Sequence, residues 1–166
     1  MKTDEQRIIK IGIADMSTAA PPAKLRTSGL GSCIGLVLYD PMLKNAGMAH
    51  IMLPTSSLAR SEGFNRNKYA DTAIADLLVH LKRMGSPAGR LKAKMAGGAQ
   101  MFAFKAQNEM MRIGPRNTEA VKELLAHYAI QLVSSDTGGG SGRTIEFDPE
   151  TLLLTIRTVN TGTSII

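Results

Sequence analysis

The 166-residue sequence predicts an α+β domain. Three observations carry this. Short apolar stretches, several alternating with period two, recur along the chain. Two segments show the three-and-four spacing of amphipathic helices. Turn residues, mostly glycine and proline, separate them. Strand-like stretches outnumber helical ones, so the helices punctuate a mostly β chain. A hydrophobic content of 43% and a mean hydropathy of -0.04 fit an ordinary globular chain long enough to bury a substantial core. Ten Met and no Trp point to an aliphatic and thioether core. No repeat or linker divides the chain, so a single domain over 1–166 is expected, with 1–8 as a flexible leading segment.

The elements follow in order. Ile9, Ile11 and Ile13 alternate with Lys10, Gly12 and Ala14 and predict a strand. Met16 to Leu25, with Pro21-Pro22, reads as a loop. Thr27-Ser28-Gly29-Leu30-Gly31-Ser32-Cys33 reads as a glycine-rich loop running into an almost wholly apolar strand, Cys33 to Tyr39, of the kind covered on both faces. Asp40-Pro41 starts a turn, Lys44-Asn45 ends it, and Ala46 to Leu53 returns as a second strand that Pro54 stops. After a polar loop, Tyr69 to Met84 is a strongly amphipathic helix closed by Gly85. Leu91, Ala93 and Met95 predict a strand whose other face, with Lys92 and Lys94, is wet, ended by Gly97-Gly98. Met110 to Ile113 reads as a short strand. Asn117 is a good N-cap for a helix with a Val121, Leu124, Leu125 and Tyr128 stripe. Ile130 to Val133 is a strand, and Thr144 to Phe147 with Leu152 to Val159 a closing hairpin.

Charge and composition exclude some classes. The formal charge is +6, and Arg60 to Lys94 holds eight Lys/Arg against three acids. This reads first as a solvated surface and second as a face steering an acidic partner. No basic block is interleaved with aromatics, which argues against nucleic acid. No apolar run reaches the roughly 18 residues of a membrane span, and the amino terminus lacks the apolar core of a signal peptide. A single cysteine makes no intrachain disulfide. Together these favour the reducing cytoplasm and no membrane insertion.

That cysteine is the chief candidate for chemistry. Cys33 sits where a flexible loop meets a buried strand, within reach of a substrate. A hairpin closed by Asp40 and Asn45 brings it within about one register step of His50 on the returning strand, where side chains share a face. A thiol beside an imidazole is a candidate nucleophile and base, with imidazolium lowering the thiol pKa. His80 and His127 lie on helix flanks, and neither they nor Cys33 show metal-ligand spacing. A third group orienting His50 is expected among Thr27, Asp40 and Asp136. Backbone amides near Gly31 and Ser32 are candidate oxyanion donors. Gly138 to Gly142 lacks the Gly-Lys-Ser/Thr of a phosphate loop. Asp136-Thr137-Gly138 lacks the second aspartate of an aspartic protease.

Several separate stretches, in order, then carry a resemblance: Thr27 to Cys33; Gly47-Met48-Ala49-His50-Ile51-Met52-Leu53-Pro54; Lys68-Tyr69-Ala70-Asp71-Thr72-Ala73; Lys94 to Phe102; Ile113-Gly114-Pro115-Arg116-Asn117; and Ser135-Asp136-Thr137-Gly138-Gly139. The sequence resembles CheD, the chemoreceptor glutamine deamidases of bacterial and archaeal chemotaxis, over about Ile9 to Val159. The resemblance implies a layered β-sandwich flanked by helices, akin to deamidating toxins, and a cysteine hydrolase with nucleophile, base and orienting threonine at Cys33, His50 and Thr27. It implies conversion of receptor glutamine to glutamate with release of ammonia, no metal or organic cofactor, and two partners: the receptor's cytoplasmic domain and the CheC phosphatase. The family's pattern has a glycine after Thr151, where this chain has Leu152. From the residues themselves, Phe102 and Phe104 beside the Gly97-Gly98 break are expected either to pack inward or to form an apolar platform for those partners.

Overall fold

The computed structural model describes residues 7–101 and 112–166. Two five-stranded sheets stack face to face. In one, the order is β1 (Ile8–Ile11), β3 (Lys24–Leu30), β8 (Arg143–Asp148), β9 (Leu153–Thr158) and β10 (Gly162–Ile165). In the other it is β2 (Met16–Ala19), β5 (Ala46–Ile51), β4 (Ile34–Tyr39), β6 (Lys92–Gly97) and β7 (Gln131–Thr137). Helices α1 (Ala70–Arg83) and α2 (Ile113–His127) both lie on the outer face of the second sheet. The molecule is therefore a β-sandwich with helices on one side.

This layering explains why β4 and β5 are buried throughout. Ile34, Leu36 and Leu38, with Ala49 and Ile51, pack under Ile74, Leu77, Leu81, Val121 and Leu125 of the helices. The alternate residues Val37, Tyr39, Ala46 and Met48 face Leu25, Ile145, Phe147 and Ile156 of the first sheet. A central strand covered on both faces has no polar alternation, as the sequence pattern implies.

The structure corrects several expectations. Met16–Ala19 is not loop but the edge strand β2, pairing antiparallel with β5. Its polar Ser17 and Thr18 hide the apolar signal. Thr27–Leu30 is not loop either. It continues β3, with a register shift between Thr27 and Leu30 that bulges the chain around Gly29. The second face of β6 is wet only at Lys92, because the first sheet covers the rest of it. There Lys94, 7% exposed, donates to the Leu152 carbonyl at 2.7 Å. Ile113 opens α2 rather than ending a strand, and Met110 lies outside the described residues. Pro115 sits in the first helical turn, where proline is tolerated. Asn117 is consequently a buried helix residue and not an N-cap. Ile8 already belongs to β1.

The β4–β5 hairpin is anchored at its turn by Asp40, which is fully buried. Its carboxylate accepts from the Ser86 hydroxyl at 2.7 Å, from Arg90 at 2.9 and 3.1 Å, and from the Met42 and Leu43 amides. Burial pushes this carboxyl's pKa up, but the hydrogen bonds from Ser86, Met42 and Arg90 outweigh it and hold the pKa below the usual range. Asp40 thus stabilises the fold at neutral pH, and that contribution is lost as pH falls through its lowered pKa. Asp40→Ala is expected to lower stability by about 3 kcal/mol in urea denaturation at neutral pH, with the gap to wild type closing under acid conditions. A loss under about 1 kcal/mol would contradict the role given to this anchor.

Candidate active site

The observed hairpin register pairs Gly35, not Cys33, with His50. The last pair is Ile34 with Ile51, so Cys33 lies just past the end of the ladder. It is two residues from Gly35 and therefore on the same side of the strand, diagonal to His50. That side faces the first sheet, where Cys33 packs at the margin of the inter-sheet core. Cys33 stays partly exposed, whereas His50 is fully buried.

Thr27 reaches His50 from the other sheet. Its Oγ1 lies 2.7 Å from His50 Nδ1 and 2.7 Å from the Ile11 carbonyl oxygen. The carbonyl only accepts, so the hydroxyl donates its one proton there. The same oxygen then accepts from Nδ1, which must carry a proton. His50 is thereby held as the Nδ1–H tautomer, with a lone pair on Nε2. This Nε2 is buried and has no hydrogen-bond partner among the described residues. The two other candidate orienting groups lie elsewhere: Asp40 is bound to Ser86 and Arg90, and Asp136 lies 3.4 Å from Arg143. His80 and His127 are exposed on their helices.

The loop carrying Cys33 is held by the backbone of 97–99. Gly98 and Ala99 amides donate to the Cys33 and Gly31 carbonyls at 2.9 and 2.8 Å. Gly97 has φ +117, and a Cβ there would sit 2.2 Å from the Cys33 carbonyl oxygen, so only glycine allows the approach. Arg143, buried between the sheets, donates to the Gly97 and Gly138 carbonyls. Asn117 Nδ2 donates to the Ser32 and Met52 carbonyls at 2.9 and 2.8 Å. The Gly31 amide donates to the Gly29 carbonyl at 3.1 Å. Among the described residues, no acceptor takes the Ser32 or Cys33 amide. Phe102 and Phe104 lie outside the described residues.

The profile of the CheD family, described as CheD chemotactic sensory transduction, matches residues 52–158. The chain belongs to the CheD family. It is 57% identical over 155 residues to the chemoreceptor glutamine deamidase CheD of Halalkalibacterium halodurans, covering 93% of this chain and 96% of that one. It is 52% identical over its whole length to the protein of that name in Bacillus velezensis, covering 100% of both. Over 162 residues it is 52% identical to that of Bacillus subtilis, covering 98% of both. The profile match begins after His50, whereas the first two alignments span 93% and 100% of this chain.

Sequence reasoning missed Asn117 and Arg143. A cap reading masked Asn117. Arg143 had a usable signal, since it shares the inward-facing period of Ile145 and Phe147, where a charge must find buried partners. The basic stretch is also less free than its count suggests. Arg66 pairs with Asp76, Arg90 with Asp40, and Lys94 turns inward.

Burial raises the Cys33 thiol pKa and lowers that of the His50 imidazole. Both directions oppose the thiolate–imidazolium pair that the sequence alone suggests. Alkylation of Cys33 by iodoacetamide should therefore show no fast plateau below neutrality, its rate climbing as pH rises past the ordinary thiol value of about 8.5. A plateau reaching down to about pH 5 would reveal a preformed ion pair and contradict this assignment.

Proposed function

We propose that this chain is a protein-glutamine deamidase that converts glutamine side chains of a chemoreceptor's cytoplasmic domain to glutamate, acting in the cytoplasm through Cys33, His50 and Thr27. The observation that carries the reading is the Thr27–His50 contact, which leaves Nε2 bare on the Cys33 side of the strand. The names of the whole-length relatives support the reaction and the substrate class.

The chemistry follows from these positions. When a glutamine carboxamide docks against Cys33, His50 Nε2 takes the thiol proton as Sγ attacks the carboxamide carbon. Charge develops on the carbonyl oxygen, and the Ser32 and Cys33 amides are the donors that would receive it. Gly31 contributes shape, its own amide being engaged by Gly29. The imidazolium returns its proton to the departing nitrogen, ammonia leaves, and a thioester remains on Cys33. Water then enters, Nε2 removes its proton, and hydrolysis frees glutamate and the thiol. Thr27 holds Nδ1–H throughout and keeps the ring in one orientation.

Burial that disfavours the charged forms of Cys33 and His50 favours a second reading, in which the domain acts mainly by binding the CheC phosphatase and catalyses little. Mass spectrometry of a receptor cytoplasmic fragment separates the two. Wild type should add about one dalton per converted glutamine, the difference between amide and acid, and Cys33→Ala should add none. Equal conversion by both proteins would remove Cys33 from the mechanism. No conversion by wild type, with CheC stimulated by both, would favour the binding module.

A further inference from the structure

Helix α2 is driven into the active-site scaffold at its amino-terminal end. A Cβ on Gly114 would lie 2.3 Å from the Ala99 carbonyl oxygen and 2.6 Å from that of Gly98. This close approach brings Asn117, about one helical turn further on, beneath the mouth of the β4–β5 hairpin. Its Nδ2 donates to Ser32 on one side and to Met52 on the other. Both carbonyls lie just past the last ladder pair, Ile34 with Ile51. One belongs to the residue before Cys33, and the other to the second residue after His50.

Beyond that pair the two chains part. The Met52 amide turns away to the Lys68 carbonyl at 2.9 Å, and Cys33 turns into its loop. The Asn117 amide therefore replaces ladder hydrogen bonds where the strands have separated. Both of its partners are acceptors, which fixes the orientation of the side-chain amide. The consequence is that Oδ1 is buried with no partner among the described residues. A buried acceptor without a donor is destabilising. A residue serving packing alone would be aliphatic here, so the two donated bonds are the asset of this side chain.

We propose that Asn117 is a positioning residue of the deamidation reaction: by spanning Ser32 and Met52 it sets the gap between the strand ends that carry Cys33 and His50. This rests on the reading of Cys33 as nucleophile and His50 as base. Asn117 is fully buried and does not meet substrate, so its loss should act on turnover and leave binding alone.

The test compares Asn117→Ala with Asn45→Ala. Asn45 makes an equivalent double contact far from the site, its Nδ2 donating to Met84 and Ser86 at 3.0 Å each. Each variant is assayed on the receptor fragment well below its melting temperature, with Cys33→Ala in parallel. Asn117→Ala should lower kcat by about ten- to a hundredfold with KM held within about twofold, as expected for a misplaced reacting group. Asn45→Ala should keep kcat within about twofold even where it melts as early. Asn117→Ser, which retains one donor, should fall between wild type and Asn117→Ala. A folded Asn117→Ala that turns over like Asn45→Ala, while Cys33→Ala is inactive, overturns the inference and leaves the catalytic reading intact. Loss of circular dichroism in both Asn117 variants also overturns it, making the residue a clamp of the fold. Activity in Cys33→Ala removes the catalytic reading itself.

Discussion

The site depends on one hydrogen bond, Thr27 Oγ1 to His50 Nδ1, that crosses between the two sheets. Thr27 is on β3 and His50 on β5, so the bond is made only when the sandwich closes. The Ile11 carbonyl on β1 completes the relay by taking the hydroxyl proton. Three strands from two sheets thus determine which nitrogen of a single imidazole is free. Because the ring is fully buried, no water competes for that choice.

The remaining scaffold holds the Cys33 loop at the open end of the hairpin that carries His50. The hairpin is tied at its turn by buried Asp40 and across its open end by Asn117. Between them lies an uninterrupted ladder from Tyr39 with Ala46 to Ile34 with Ile51. The loop carrying Cys33 is supported by the 97–99 backbone, and Arg143 braces that backbone from the first sheet. Burial disfavours the charged form of both Cys33 and His50.

Most of the fold was readable in the sequence, as was the candidate Cys33 and His50 pair proposed above. Continuous apolar runs located β4 and β5, which are covered on both faces, and period-two and period-3.6 patterns located β6 and both helices. The failures have physical causes. Strand β2 at a sheet edge has little apolar alternation, and the bulged half of β3 looks like loop because its glycine bends a strand that remains paired. Lys94 reads as solvent-facing until the first sheet covers it. Register could be inferred from the turn only to about one step, and that step separates Gly35 from Cys33 as the neighbour of His50. Thr27 was one of three open choices on the residues alone, since contact across two sheets leaves no local spacing. Asn117 was misread because asparagine ahead of an apolar helical stripe has a strong cap signature, while its tertiary role has none.

The central claim is that Thr27 holds His50 as a neutral Nδ1–H imidazole whose Nε2 is the free base. Long-range proton–nitrogen correlation NMR on 15N-labelled protein near neutral pH reads this directly. The account predicts a protonated, pyrrole-type shift for His50 Nδ1 and a pyridine-type shift for Nε2, with the distinction lost in Thr27→Val. A proton on Nε2 with Nδ1 bare, or protons on both, would contradict it.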